Sequence, residues 1–315
     1  MINNYIKTLI QNLPQPVTTT KTKTETETKT KTKTIDIILD GGIFNGSYLI
    51  GALLFIKEME NQNYIKVDKI SGCSIGAFSA FLYHLNALDM ITEIYDMLLE
   101  YFKANFTLDI FDKIFEKLSK IMPDNVCETM TNRVYISYYN VQKKKKVIKC
   151  KYKNNADIFD TIRRSCFFPF IIDGSAIYKN KYCDGFNPYI LPICPNKKIL
   201  YLDLYGADKI NFLFSVKNEK TNFHRILAGV LDIHLFFIKK SNTQMCSYVN
   251  SWSLRHIIHN RICKVAVEKV LFYAVYLYWS IKHHIPDKIY DSIICKIVAK
   301  IIHEIYIILI ENYSL

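Results

Sequence analysis

The sequence lacks the patterns of cysteine and histidine that hold structural metals. Its nine cysteines are scattered and odd in number, and neither a Cys-x-x-Cys pair nor a histidine cluster at metal-ligand spacing accompanies them. Because this absence excludes the common zinc modules, we expect no metal site and no cofactor. Scattered thiols of this kind are typical of reduced core residues in an intracellular protein.

Long apolar runs are scarce as well. Residues 1–12 mix polar and apolar side chains, without the apolar core and small-residue cleavage site of a secretory signal. In the C-terminal region the longest uncharged stretch, residues 270–281, has about twelve residues, whereas a spanning helix needs about 18 or more. We therefore expect an intracellular, cytoplasmic protein that has no transmembrane span and associates with membranes peripherally.

Nucleic-acid motifs are also missing, although the charge of the chain favours an anionic partner. The formal net charge is +12, and it is accompanied by neither an RNP sequence nor a finger spacing. Of the two common polyanions, the phospholipid membrane surface is therefore a better match than nucleic acid. We expect a membrane surface as the partner and no nucleic acid.

The chain does contain enough apolar residues for a sizeable core, since half of its 315 residues are hydrophobic. Residues 18–34 alternate threonine with lysine or glutamate and have nothing to bury. We therefore expect residues 1–34 to be a disordered segment that ends in this low-complexity linker. The folded core is predicted over residues 35–210. Residues 211–315 predict a mainly helical region packed on the core, and the last helix, residues 293–311, either packs against the domain or inserts into a lipid interface.

Residues 70–78, Ile-Ser-Gly-Cys-Ser-Ile-Gly-Ala-Phe, contain a Gly-x-Ser-x-Gly turn between a strand-like run and a helical pattern. In a nucleophile elbow the serine lies at the tip of a tight strand-to-helix turn, and the two glycines remove Cβ atoms that would block it. Here Ser74 would be the nucleophile, flanked by Gly72 and Gly76. The N–H of Ile75 would face negative charge that develops beside the serine. The alternative is a tight turn of no catalytic consequence.

A second strand, glycine-rich loop and helix occur upstream. Residues 35–39 predict a short strand, residues 40–46 (Asp-Gly-Gly-Ile-Phe-Asn-Gly) follow, and a helical pattern begins at Tyr48. Such a loop presents backbone N–H groups at a helix start, which suits a phosphate or an oxyanion. Because both the Gly-x-Gly-x-x-Gly spacing and a lysine after the last glycine are absent, an oxyanion hole is favoured over a nucleotide site. A plain tight turn remains the alternative.

An acidic residue follows a third short strand. Residues 182–184, Tyr-Cys-Asp, precede a glycine. The carboxylate of Asp184 is therefore either part of an Asp-Gly turn or a base held at the same sheet edge as the serine. The same dipeptide occurs at Asp173, so the dipeptide alone does not decide between them. Residues 133–141 and 147–152 flank four lysines and predict a hairpin whose basic tip is either solvated or in contact with anionic lipid.

Together these segments resemble the patatin-like phospholipases in order and spacing. The resemblance covers about residues 35–205. The segments that carry it are residues 39–53 (Leu-Asp-Gly-Gly-Ile-Phe-Asn-Gly-Ser-Tyr-Leu-Ile-Gly-Ala-Leu), residues 72–76, residues 182–185, the Leu-Pro-Ile at 191–193, and residues 162–170, which are similar to the family's stretch before its acidic motif.

The resemblance implies a three-layer α/β/α sandwich and a lipid acyl hydrolase of the phospholipase A type, with a Ser-Asp dyad and no catalytic histidine. Matched position by position, it implies that Ser74 is the nucleophile and Asp184 the base. The loop of Gly41, Gly42 and Ile43 matches the oxyanion hole. No metal-binding loop is visible, so we expect calcium-independent cleavage of ester bonds in membrane glycerolipids through an acyl-enzyme.

Three positions depart from the pattern of the family. Ile43 stands where the family usually has a third glycine, Asn45 where it commonly has a basic residue, and Phe186 where a small residue usually follows Asp-Gly. Because a β-branched residue tolerates a positive φ poorly, Ile43 would strain the oxyanion hole if that position needs one. The alternative function is therefore a weak or inactive patatin-like protein that binds a membrane or a partner.

A hydrolase with a Ser-Asp-His triad is a further alternative. It would require a histidine base from the helical C-terminal region, where the candidates are His224, His234, His256 and His259. A lone histidine in a helix is more often a surface or core residue than a base. The triad would also leave the Asp-Gly pair at 184 and the glycine-rich loop unexplained.

Overall fold

A computed structural model describes residues 2–14, 33–206, 209 and 219–284. The apolar, β-branched runs form strands and the 3.6-residue patterns form helices, as expected from the two periodicities. The strands are β1 (Lys33–Leu39), β2 (Ile65–Cys73), β3 (Val134–Asn140), β4 (Lys145–Lys149), β5 (Tyr182–Asp184), β6 (Lys198–Leu202) and β7 (Cys246–Tyr248). The helices are α1 (Ile2–Gln11), α2 (Gly46–Asn61), α3 (Ile75–His84), α4 (Ile91–Asn105), α5 (Phe111–Ser119), α6 (Val126–Met130), α7 (Asn155–Cys166), α8 (Phe223–Lys239), α9 (Leu254–Ile257) and α10 (Lys264–His284).

The strands form one mixed sheet in the order β4, β3, β2, β1, β6, β7, and β5 also pairs with β3. β1 is parallel to β2 and β6, and β2 is parallel to β3. β4, β5 and β7 pair antiparallel with their neighbours. The α/β class is confirmed, and the predicted hairpin is β3–β4. The strand β7 was not predicted from the sequence, since three residues are too few to show the alternation of apolar and polar side chains that is typical of a strand.

The register of the sheet brings three strand ends together. The last residue of β1 is paired with Gly72, and Cys73 at the end of β2 is paired with Ser137 of β3. The next residue of β3, Tyr138, is paired with Asp184 at the end of β5. Because β4 occupies the other edge of β3 here, β5 lies on the β2 side. The ends of β1, β2 and β5 therefore meet at one place.

The two faces of the sheet are covered differently. On one face, Ile37 points into the large core that contains residues of α1 to α8. On the other face, Ile38 packs in a small cluster with Leu191, and Tyr139 stacks on Phe272 of α10 with ring centroids 4.6 Å apart. In the described residues this second face is covered by α10 and irregular segments. α10 therefore lies over the end of the sheet where the strands β3 and β5 pair.

The N-terminal helix α1 differs from the expectation that residues 1–34 are disordered. Ile6 and Ile10 lie one turn apart on α1, are buried, and belong to the large core. A helix this short is marginal alone, so its packing on α2 and α8 stabilises it. The threonine-rich stretch up to residue 32 and the helix predicted at residues 293–311 lie outside the described residues, and the division at residue 210 stays a prediction. In the part that is described, no helix has the length and hydropathy to cross a membrane.

Candidate active site

Ser74 is the single residue between β2 and α3. Its φ of 51° and ψ of −130° lie in a region that residues with a side chain rarely adopt. The flanking glycines allow the turn. A Cβ on Gly72 would lie 2.5 Å from the carbonyl carbon of Gly76, and a Cβ on Gly76 would lie 2.5 Å from the carbonyl oxygen of Asp40. Residues 72–76 therefore form a strained strand-to-helix turn with Ser74 at its tip.

Two side chains of α7 contact the backbone of Ser74 in the elbow. The Ser74 N–H donates to Ser165 Oγ over 2.9 Å, and that hydroxyl donates in turn to the carbonyl of Ser137 over 2.7 Å. The thiol of Cys166 lies 3.1 Å from the Ser74 carbonyl oxygen. Sequence reasoning noted residues 162–170 as a segment but assigned these side chains no role. A buried serine and cysteine at the end of a helix carry no local signal of the backbone that they contact.

Asp184 is buried at the end of β5, directly beyond the end of β2. Its N–H donates to the Phe167 carbonyl over 3.0 Å, and its Oδ1 accepts the Phe186 N–H over 2.7 Å. Burial raises the pKa of Asp184 to about 7, against the Ser74 hydroxyl and the Phe186 N–H, which lower it. The other carboxyl oxygen, Oδ2, is buried and makes no hydrogen bond of normal geometry within the described residues. Because the Ser74 hydroxyl is among the groups that lower the pKa of Asp184, it lies near the carboxyl group.

The glycine-rich loop lies against Ser74. A Cβ on Gly41 would lie 3.3 Å from the Ser74 Cβ, so only a glycine fits there with ease. Gly42 has a φ of 151° and Ile43 a φ of 40°, and the Asn45 N–H closes the turn on the Gly42 carbonyl over 2.8 Å. A positive φ at a β-branched residue costs on the order of 1–3 kcal/mol. The loop therefore keeps the positive φ at position 43 in spite of the isoleucine, at the cost of strain.

The candidate donors to an oxyanion beside Ser74 are backbone N–H groups at the start of α3 and in the glycine-rich loop. Ile75 and Gly76 open α3, so their N–H groups have no acceptor within the helix, and the positive end of the helix faces the serine. The Gly41 N–H is already bonded to the side chain of Asp40 over 3.0 Å. Of the three loop residues expected in the oxyanion hole, Gly42 and Ile43 therefore remain the candidate donors.

A buried ion cluster anchors the start of the loop. Asp40 Oδ2 accepts the Tyr201 hydroxyl over 3.0 Å and the Lys264 ammonium over 2.5 Å. Lys264, the first residue of α10, also pairs with Asp203 at 3.0 Å. Burial raises the pKa of Asp40 to about 6, and the charge of Lys264 opposes that rise. Sequence reasoning missed Lys264, because 224 positions separate it from Asp40.

A second buried cation anchors the end of the loop. The guanidinium of Arg225, in α8, is fully buried and donates to the side chain of Asn45 over 2.9 Å. Its Nε donates to Glu219 over 2.9 Å. The Asn45 amide also donates to the carbonyl of Lys209 over 2.9 Å. Position 45, where the resemblance led us to expect a basic side chain, thus carries an amide that is itself bonded to a buried guanidinium.

The segment after Asp184 is fastened to α10. Phe186 has a φ of 53° and packs in a cluster with Phe272 of α10. The side chain of Asn187 donates to the Lys264 carbonyl over 2.9 Å and to Glu268 over 2.7 Å. The helix α10 therefore contacts both the glycine-rich loop and the segment that carries the acidic residue.

Three of the four histidines of the triad alternative have their contacts elsewhere. His224 lies 3.5 Å from Glu219, His234 packs on the ring of Phe55, and His256 is bonded to Ser253. The carboxyl group that the fold places beside Ser74 is Asp184. Across residues 2–14, 33–206, 209 and 219–284, no group of three or more histidine, cysteine or acidic side chains is arranged to hold a metal ion.

Comparison with known proteins adds two findings. Residues 37–186 match the family described as patatin-like phospholipase. A mouse protein described as 1-acylglycerol-3-phosphate O-acyltransferase Pnpla3 is 26% identical over 202 residues, which cover 61% of this chain and 48% of that relative. The chain thus spans about half the length of the relative. The residues matched by the family include Ser74, Asp184 and the glycine-rich loop.

Proposed function

Because residues 37–186 match the patatin-like phospholipase family, we propose that the protein is a lipid acyl hydrolase of the phospholipase A type. Its substrates would be the carboxylic esters of membrane glycerolipids. The observation that carries the proposal is the placement of Asp184, buried and with a pKa of about 7, beside Ser74 at the tip of a strained elbow. A carboxyl group with this pKa is half ionised near neutral pH, which suits a general base.

In the proposed mechanism Asp184 accepts the proton of the Ser74 hydroxyl as Oγ attacks the ester carbonyl carbon. The carbonyl oxygen becomes an oxyanion, stabilised by the N–H groups of Gly42 and Ile43 and by the start of α3. When the tetrahedral intermediate collapses, the ester bond breaks and the protonated Asp184 returns its proton to the leaving alcohol. Asp184 then accepts a proton from water as the water oxygen attacks the acyl carbon. The bond to Ser74 Oγ breaks, Asp184 returns the proton to Oγ, and a fatty acid is released. Each donor lost from the oxyanion hole would lower the rate on the order of 10²-fold or more.

An acyltransferase is the second candidate, favoured by the printed name of the mouse relative. The acyl-enzyme would form in the same way, but the hydroxyl of a lysophospholipid would replace water as the acceptor of the acyl group. Asp184 would deprotonate that hydroxyl. The two candidates therefore share the dyad and differ only in what enters the site after the first alcohol leaves.

The third candidate is an inactive protein that binds membranes or a partner, and the positive φ of Ile43 motivates it. The retention of the loop conformation, of the elbow and of a buried carboxyl group beside the serine supports the enzyme instead. A chain that only binds needs none of the three.

A serine-directed phosphonate probe tests the proposal. The purified chain is treated with the probe, the modified peptide is mapped, and the wild type is compared with Ser74→Ala and with Ser119→Ala, an exposed serine that serves as the control. We expect labelling of wild type and of Ser119→Ala at Ser74, and none of Ser74→Ala. A folded wild type that stays unlabelled would contradict the enzyme and favour the binding protein.

The acceptor is then identified with phosphatidylcholine vesicles that carry a labelled acyl chain, with and without 1-acylglycerol-3-phosphate. Label in free fatty acid under both conditions supports the hydrolase. Label that moves to the added lysolipid supports the acyltransferase. The Ser74→Ala chain is the control for both products.

A further inference from the structure

The helix α10 has two unlike faces, and only one of them is used by the fold. Its inward face carries Lys264, Glu268 and Phe272, spaced four residues apart, and each contacts the sheet or the segments of the candidate site. Glu268 and Phe272 are buried. The residues half a turn away point to solvent. The helix α10 therefore lies between the candidate site and the solvent.

The outward face is apolar, which is unusual for a helix in contact with water. We call Val270, Tyr273, Leu277 and Ile281 the α10 outer face, and all four are more than half exposed. Val270 is 69% exposed and Leu277 is 57% exposed. Scattered exposed apolar residues are normal, but a contiguous row along one helix face marks a surface for a partner or a membrane.

The charges around this face have one sign. Over residues 254–281 the exposed charged side chains are Arg255, Arg261 and Lys269, and the one acidic residue, Glu268, is buried on the inward side. The basic tip of the β3–β4 hairpin adds to this rim, since Lys144 Nζ lies 4.4 Å from the ring centre of Tyr276. An apolar centre with a cationic rim is complementary to an anionic phospholipid surface.

The apolar surface continues toward the candidate site. Phe170, in the loop after α7, is 40% exposed and packs edge to face on Tyr278 of α10, with ring centroids 5.3 Å apart. Three residues before Phe170, the carbonyl of Phe167 accepts the N–H of Asp184. A bilayer seated on this surface would lie next to the segment that holds the acidic residue.

We propose that the α10 outer face, with Phe170 and the basic rim of Lys144 and Lys269, docks the protein on anionic phospholipid bilayers. The inference rests on the proposed function, because a lipid acyl hydrolase must meet its substrate at a membrane surface. It assigns the docking to one helix and gives the basic hairpin tip a role. Docking also delivers lipid beside α10, the helix that contacts both halves of the candidate site.

The test is sedimentation of the full chain with vesicles, in the Ser74→Ala background so that no lipid is cleaved. We expect stronger binding to phosphatidylcholine mixed with phosphatidylserine than to phosphatidylcholine alone, and weaker binding at high salt. The pair Val270→Glu and Leu277→Glu should lower the partition coefficient at least about tenfold. Ile121→Glu, at an exposed isoleucine after α5, is the matched control and should bind as the parent does. Lys144→Ala with Lys269→Ala should weaken only the preference for phosphatidylserine.

Other occupants of the face give different results. A parent chain that does not sediment, or a glutamate pair that sediments unchanged, overturns the proposal. A large fall in Tm for the glutamate pair would mean that residues 285–315 cover the face, and a dimer that becomes a monomer would mean that a second copy does. Either result also overturns it. Sedimentation needs no turnover and phosphonate labelling needs no lipid, so docking and catalysis can fail separately.

Discussion

Asp184→Asn is the substitution that examines the candidate site most directly, because it removes a charge and keeps the shape. The amide oxygen can still accept the Phe186 N–H, which now binds Oδ1 over 2.7 Å. The amide nitrogen replaces Oδ2, which has no hydrogen-bond partner among the residues that the structure describes, and can donate to the Ser74 hydroxyl. The variant should therefore fold as the wild type does, lose the base, and gain stability wherever Asp184 is ionised.

The size of that gain follows from the pKa of the buried carboxyl group. Folding raises the pKa of Asp184 from 3.8 to about 7, which corresponds to about 4 kcal/mol. Because the folded state binds the proton more tightly than the unfolded state, Asp184 destabilises the wild type only as pH rises. The destabilisation is absent below pH 3.8 and complete above about pH 7. Between pH 5 and pH 8 it should grow by about 2.5 kcal/mol.

The assay is urea unfolding of both proteins from pH 5 to pH 8, read as the difference in their free energies of unfolding. The difference should increase in favour of Asp184→Asn by about the calculated 2.5 kcal/mol. Asp173→Asn is the matched control: its carboxylate accepts the N–H two residues on over 2.8 Å, as Asp184 does, but it is exposed. The difference in free energy of unfolding between the wild type and Asp173→Asn should not change over this pH range. Wild-type kcat/KM should rise through about pH 7 as Asp184 ionises, and Asp184→Asn should lose turnover by several orders of magnitude.

Two results would refute this reasoning. A free-energy difference for Asp184→Asn that does not change with pH would show that the carboxyl group is not forced toward the neutral form. Turnover near the wild-type level in the folded variant would show that Asp184 is not the base.

Three further substitutions address the loop and its supports. Ile43→Gly should relieve the positive φ and keep or raise the rate of phosphonate labelling at Ser74, and a fall of tenfold or more would show that the isoleucine shapes the oxyanion hole. Lys264→Met should leave Asp40 as a buried charge without its cation, which should lower the free energy of unfolding by about 3–5 kcal/mol and slow labelling at Ser74. Lys264→Arg should restore part of both, and an unchanged urea midpoint for Lys264→Met would contradict the role of the ion pair. Ser165→Ala should leave the Ser74 N–H without its acceptor and cost about 1–3 kcal/mol in urea unfolding, and a neutral result would show that water replaces the hydroxyl.

The turns of this protein could be predicted from the sequence because they depend on local sterics. Gly72 and Gly76 are required because a side chain on either would collide with backbone across the turn, and their spacing around a serine is visible in five residues. The strand runs and the helix pattern after them are equally local. The strain at Ile43 was foreseeable for the same reason, since a β-branched side chain conflicts with its own backbone at positive φ.

The buried ion pairs and hydrogen bonds that hold the glycine-rich loop could not be predicted from the sequence, because they join positions far apart in the chain. Lys264 meets Asp40 and Arg225 meets Asn45 only when α10 and α8 pack against the loop. Neither side chain lies in a pattern that differs from an ordinary basic residue on a helix. The helix α1 was missed in a similar way, since its two buried isoleucines become a core contact only beside α2.

The sequence by itself determined the strand-to-helix turns, because they depend on sterics and periodicity within a few positions. The α/β class and the roles of the candidate residues came from the resemblance to a known family. Only the tertiary structure decided that Asp184 lies beside Ser74, through the pairing of β5 with β3 beyond the end of β2. It also decided the pKa of Asp184, since burial is a property of the whole packed core and not of a segment. The apolar outer face of α10 has the same origin, because apolar residues occur on more than one side of that helix and packing selects the side that stays exposed.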